Sequence, residues 1–157
     1  MKTYIALLAA TTMMVLAQAA SAATPSGPGK PNVVLNFLEV QVAFGGSVAE
    51  SQAPRPGNRF WLHSEFYKWQ GTKRGGHLGH ADAIATFGAS GNPVITGVAS
   101  LPGGTLSVTG TGSAGPVSTL AVVGGTGIYA TARGEVILRT IGGQDSNLSA
   151  DTIRLWI

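Results

Sequence analysis

The chain has 157 residues, a formal charge of +3 and no cysteine, which excludes disulfide frameworks, thiol catalysis and cysteine-ligated metals. Ten basic residues against seven acidic ones fall far short of the electrostatic footprint of a nucleic-acid-binding protein, and no nucleic-acid partner is expected. A chain of this length builds one hydrophobic core and hardly two, so a single domain is expected.

The first residues read as a secretory signal peptide over 1–22: Lys2 supplies the positive start, 5–16 the apolar stretch and Ala20-Ser-Ala22 the small-residue cleavage site. That apolar stretch is too short to span a membrane, which takes ~20 residues, and no later segment matches it without glycine or charge. A soluble mature protein, secreted or periplasmic, is expected. The stretch 24–31 holds three prolines and two glycines, a composition that suits a flexible lead-in over 23–31.

From Asn32 to Ile157 the chain alternates short runs rich in Val, Ile, Thr and aromatics with Gly, Pro and Asn clusters, the pattern of successive strands and turns. Eight runs stand out, at 33–44, 58–69, 77–87, 93–101, 104–111, 117–123, 130–141 and 148–157, and no helical period competes with them. Pro102-Gly-Gly104 joins the fourth and fifth runs as a tight hairpin, because glycine supplies the positive φ such turns demand. The fold class read from this is all-β. Short strands with tight turns and no crossover helices leave two sheet edges, and closure into an eight-stranded antiparallel barrel removes both. Such a barrel is either filled by side chains or holds one small ligand.

Alternation on the second run gives one face Trp61, His63, Glu65 and Tyr67, and the other Phe60, Leu62, Ser64 and Phe66. The residues alone leave open which face looks inward. His63 and Glu65 project side by side and would make an acid–base pair on an aromatic platform if they lined a lumen; on the outside they would be a solvated pair on an interaction face. On the third run His80 and Asp82 share a face, whereas His77 has the opposite parity, so the trio is no metal site and no metal is expected. With His80 and Asp82 outside, Gly79, Ala81, Ala83 and Ala85 point inward, and their small side chains either leave a cavity or are met by large neighbours. The Gly110-Thr-Gly-Ser-Ala-Gly115 and Gly124-Gly-Thr-Gly127 stretches look like phosphate-binding loops but precede no helix, and read as turns. Five basic residues, Arg55, Arg59, Lys68, Lys73 and Arg74, crowd one stretch, and Asn147-Leu-Ser149 is a glycosylation sequon.

Three blocks carry a family likeness. They are Gly57-Asn-Arg-Phe-Trp-Leu-His-Ser-Glu-Phe-Tyr67 with Gly76-His-Leu-Gly-His80, then Ser100-Leu-Pro-Gly-Gly-Thr-Leu-Ser-Val-Thr-Gly110, and Leu120-Ala-Val-Val-Gly-Gly-Thr-Gly-Ile-Tyr-Ala-Thr-Ala-Arg-Gly-Glu-Val136. Together and in this order they resemble the allene oxide cyclase and dirigent protein superfamily, in particular its small bacterial members. The resemblance implies a calycin-type eight-stranded barrel, a dimer or trimer, and a lumen that steers a small apolar reactive intermediate into one cyclisation or stereochemistry. If an enzyme, it would be a cofactor-independent cyclase or isomerase, with no metal or organic cofactor. The resemblance also places Phe60, Leu62, Ser64 and Phe66 on the ligand side, facing Ala81, Ala83 and Ala85. Plant allene oxide cyclases use a first-strand glutamate and a nearby asparagine, for which Asn36 and Glu39 are the counterparts here; dirigent proteins use acidic groups with arginine and tyrosine, and Arg133 is the residue that matches a shared motif. A non-catalytic carrier of lipocalin type and a structural or oligomerising barrel are the competing functions. A catalytic barrel places a strongly hydrogen-bonding group deep in the lumen, a carrier keeps the lumen apolar, and a structural barrel fills it.

Mass spectrometry of the exported protein is expected to find its N-terminus at Ala23 or within two residues of it. Retention of residues 1–22 would contradict the leader reading.

Overall fold

The computed structural model describes residues 29–47, 53–70, 73–113, 115–142 and 146–157. The expected signal peptide and residues 23–28 of the lead-in lie outside them. Eight strands follow in chain order, β1 (Val33–Gly46), β2 (Arg59–Gln70), β3 (Lys73–Phe87), β4 (Pro93–Leu101), β5 (Gly104–Thr111), β6 (Val117–Gly125), β7 (Arg133–Ile141) and β8 (Leu148–Trp156). Each pairs antiparallel with the next and β8 returns to β1, which closes the barrel. The one helical element among the described residues is a single 3-10 turn, Gly127–Tyr129, so none there is long and apolar enough to cross a membrane.

The strands match the sequence runs to within two residues at each end, except at the starts of β3 and β7. β1 continues to Gly46 through an irregularity between Gln41 and Ala43, where Val42 is the extra residue. β3 starts at Lys73 rather than at His77, because the β2–β3 ribbon keeps pairing through Trp69 with Arg74 beyond the apolar stretch. The Arg74 guanidinium lies 3.6 Å from the centre of the Tyr67 ring, a cation–π contact that covers this extension. β7 starts at Arg133 rather than at residue 130, because the preceding residues form the 3-10 turn.

Residues 33, 35, 37 and 39 of β1 point inward, and the same alternation around the barrel sets a buried core at one end. Phe37, Phe66, Leu106, Leu120, Val122, Tyr129, Val136, Ile153 and Leu155 form it. That end is sealed by two turns laid back to back, the β4–β5 turn at Pro102 and Gly103 and the β6–β7 connection around Tyr129. Tyr129 is buried and its hydroxyl donates to the Pro102 carbonyl at 3.3 Å. The close approach explains the glycines: Gly127 has φ +61°, and a Cβ there would stand 2.0 Å from the Gly103 carbonyl oxygen. At Gly104 a Cβ would stand 2.1 Å from the Thr126 carbonyl oxygen. Backbone bonds from Thr126 to the Thr105 carbonyl and from Ile128 to the Gly103 carbonyl fasten the two turns together.

The opposite end is a mouth bounded by the β1–β2, β3–β4, β5–β6 and β7–β8 connections. The core at the closed end therefore bears the stability. Leu106 is fully buried there, and Leu106→Ala is expected to destabilise the barrel by roughly 2–5 kcal/mol in a denaturant titration. A loss below about 1 kcal/mol would show that this end is loosely packed.

Candidate functional site

Between the core and the mouth the lumen is hollow, because its walls differ in bulk. β1, β2, β7 and β8 contribute Phe37, Leu62, Phe66, Leu138 and Ile153, whereas β3 contributes Ala81 and Ala83 and β4 sets Gly97 between Ile95 and Val98. Ala83 sits opposite Gly97 in the β3–β4 register and opposite Leu62 in the β2–β3 register. The result is an apolar chamber of about 130 Å³. It adjoins a vestibule of about 210 Å³ lined by polar groups such as Gln41, Ser118, Thr140 and Asn147. Together the two spaces reach the lower end of the range for small-molecule sites, roughly 300–1,000 Å³.

Glu39 and Leu62 line both spaces and so mark the neck between them. The pairing of β1 with β8 sets Glu39 opposite Ser149 and Phe37 opposite Asp151, which brings two carboxyl groups to the same stretch of wall. Asp151 is only 3% exposed. The Ser149 hydroxyl lies 2.7 Å from Asp151 Oδ1 and 3.4 Å from Glu39 Oε2, so its single proton is donated to Asp151. Burial pushes the Asp151 pKa well above the ordinary aspartate value, and its hydrogen bond to the Glu39 carboxyl and the charge there push it the same way; the bond from Ser149 opposes them more weakly. Two adjacent carboxyls in an apolar wall disfavour joint ionisation, and burial favours the neutral form of Asp151. Ser64, also 3% exposed, adds a hydroxyl to the chamber wall.

Of the residues expected at the ligand, Leu62, Ser64, Phe66, Ala81 and Ala83 line the chamber. Phe60 and Ala85 pair with each other one step nearer the mouth, where Phe60 stands edge-on to Phe87 with ring centres 5.6 Å apart. Of the polar candidates, Glu39 alone reaches the lumen. Asn36 has the opposite parity, is exposed, and accepts a hydrogen bond from the Thr152 hydroxyl at 2.9 Å. Arg133 is exposed on the outer face at the closed end and donates to the Ala132 carbonyl at 2.8 Å. Asp151 is the residue the sequence reading missed. Its signal was present, since it shares the parity of Ile153 and Leu155 on β8, and an aspartate in the apolar phase of a strand has to be buried.

The face with Trp61, His63, Glu65 and Tyr67 is outside. His63 donates to Asp82 at 2.7 Å across β2 and β3, and Glu65 pairs with His77 and with His63. The hydrogen bond to Asp82 raises the His63 pKa, and the one from His77 lowers that of Glu65. These exposed contacts contribute little to stability. The five basic residues that crowd the sequence are split by the length of β2, with Arg55 and Arg59 towards the mouth and Lys68, Lys73 and Arg74 at the closed end.

No protein-family model matches the sequence, and no curated protein matches it. Solved structures do match the fold, a closed barrel found in dirigent proteins and in cyclases. A pterocarpan synthase dirigent protein superposes with a TM-score of 0.64 at 19% identity, covering 90% of this chain and 98% of that one. A pyocyanin demethylase gives 0.62 at 16% identity over 79% of this chain and 100% of that one. The Diels–Alderase AbmU from Streptomyces koyangensis gives 0.61 at 16% identity over 78% of this chain and 63% of that one. The chain thus has the barrel fold its motifs resemble.

The raised pKa of Asp151 has a definite sign in stability. Its contribution is fully present below the ordinary value of 3.8 and is lost as pH rises through the higher value it takes in the folded barrel. Denaturant titrations of wild type and Asp151→Asn from pH 3.5 to 8 are therefore expected to show wild type losing ground to the variant as pH rises. A difference that stays constant across this range would mean that Asp151 titrates as an ordinary aspartate.

Proposed function

We propose that this protein binds a small apolar or aromatic reactive molecule in its lumen and steers its cyclisation or stereochemistry, with Glu39 and Asp151 as the chemical groups. The observation that carries this reading is the carboxyl pair at the neck of an otherwise apolar chamber. A carrier's lumen would be apolar throughout and a structural barrel's filled, and neither description fits a hollow with a protonated acid in its wall. The names of the barrels with the same fold, among them a dirigent protein and a Diels–Alderase, point the same way. The leader sequence supports action outside the cytoplasm.

In this reading the walls do most of the work. Confinement against Phe37, Leu62 and Phe66 selects one conformer of a flexible intermediate and keeps water away from its reactive centre. Asp151, holding its proton, hydrogen-bonds to an oxygen on which negative charge develops, and Glu39 accepts a proton or stabilises positive charge on the other side. Ser149 fixes the orientation of the Asp151 carboxyl through its donated hydrogen bond. The residues need no metal or organic group for these roles.

The size of the chamber bounds the affinity. An aromatic ring that buries ~150 Å² at ~25 cal/mol per Å² gains about 4 kcal/mol, which by itself is millimolar binding. Tighter binding therefore depends on the polar groups at the neck. The experiment is a panel of fluorescent aromatic probes titrated into wild type and Ala83→Trp, whose indole would occupy the chamber. Binding by wild type and its loss in a folded variant is the expected result. Equal binding by both, or by neither, would overturn the lumen as the site and favour the structural barrel.

A further inference from the structure

The two spaces of the lumen are lined by the Glu39 and Asp151 carboxyls, by hydroxyls, amides and apolar side chains, and by no lysine, arginine or histidine among the described residues. Arg59 and Arg139, on the mouth halves of β2 and β7, are exposed with outward parity. Arg55, in the β1–β2 connection, is exposed as well and lines neither space. Two carboxyls, Glu39 and Asp151, stand at the neck, and no basic side chain among the described residues lines either space to balance negative charge there.

We propose that the lumen selects a ligand that carries a cationic or hydrogen-bond-donating group one bond or two from an aromatic ring, and rejects ligands bearing a carboxylate or phosphate. This rests on the reading of the lumen as the binding site and names the chemistry of what enters it. The chamber takes the ring, the only part it has room for, and the polar group then stands at the neck beside Glu39. A cation there completes a charge-assisted hydrogen bond in a partly desolvated wall, whereas an anion meets like charge with no compensating partner. A fatty-acid-like substrate would bring its own carboxylate to the one place in the lumen that repels it.

Three probes of similar size separate these outcomes: benzylamine, protonated at pH 7, benzyl alcohol and benzoate. Their dissociation constants are measured by NMR titration on wild type, on Ala83→Trp, and on the isosteric double variant Glu39→Gln with Asp151→Asn. Both carboxyls are changed because removing one frees the other to ionise. Benzylamine is expected to bind wild type at least tenfold more tightly than benzyl alcohol, with benzoate weakest. The double variant should lose the benzylamine advantage, binding benzylamine and benzyl alcohol within about twofold of each other. Ala83→Trp should bind none of them, which separates the lumen from the outer-face carboxylates Glu65 and Asp82. If benzoate binds as well as benzylamine, or the order survives in the double variant, the charge selection is wrong while the lumen remains the site. If no probe binds wild type, both readings fall.

Discussion

The pairing of β1 with β8 is the contact on which the rest of the structure depends. It runs from Val33 against Leu155 to Val40 against Leu148 and joins the two ends of the described chain. Without it the sheet has two edges and the alternation of side chains has no inside to serve. With it, every second residue is committed to a lumen, and the same seam sets Glu39, Ser149 and Asp151 side by side although more than a hundred residues separate them. The candidate site is thus made by the last step of closure. No opened or partly paired barrel can carry it, so ligand binding in this protein reports directly on closure.

A second constraint follows from filling a closed barrel unevenly. The lower half is packed by Leu106, Ile153 and Leu155, and plugged by Tyr129 from the connection between β6 and β7. The upper half meets large residues on one side with alanine and glycine on the other. Packing is densest around Leu106 and Leu155, with open space above it in the chamber and beside it in a pocket of about 340 Å³ among Leu35, Leu78, Leu101 and Tyr129, and the carboxyl pair lies in the chamber wall. Burial of Asp151 favours its neutral form, which Ser149 hydrogen-bonds, whereas an ionised aspartate in that wall would destabilise the fold.

Much of this architecture was legible from the residues. Alternation along the second strand and the glycine turns gave eight strands, and the resemblance chose the inward face, with Leu62, Ser64 and Phe66 where it placed them. The alanines of β3 were recognised as small, but whether they faced a void depended on side chains contributed by other strands, a three-dimensional fact that no local pattern contains. The polar site was legible only in part. Glu39 and Asn36 are three apart and cannot share a face of a regular strand, so parity alone separates them. Arg133 carried a family motif and proved to open β7 with its side chain on the outer face at the closed end. Asp151 was hidden because its importance comes from its neighbours across the β1–β8 seam, which sequence distance conceals.

Where the chain enters and leaves the barrel also matters. Asn32 holds the Ile157 main chain in both directions, its side-chain amide donating to one carbonyl and accepting from one amide, and the Trp156 indole bonds to the Gly29 carbonyl. Both ends thus emerge together at the sealed base, facing away from the mouth. Anything attached there, whether a natural extension, a surface anchor or an engineered tether, holds the barrel upright by its foot, with the opening turned towards the surrounding medium and free to exchange small molecules with it.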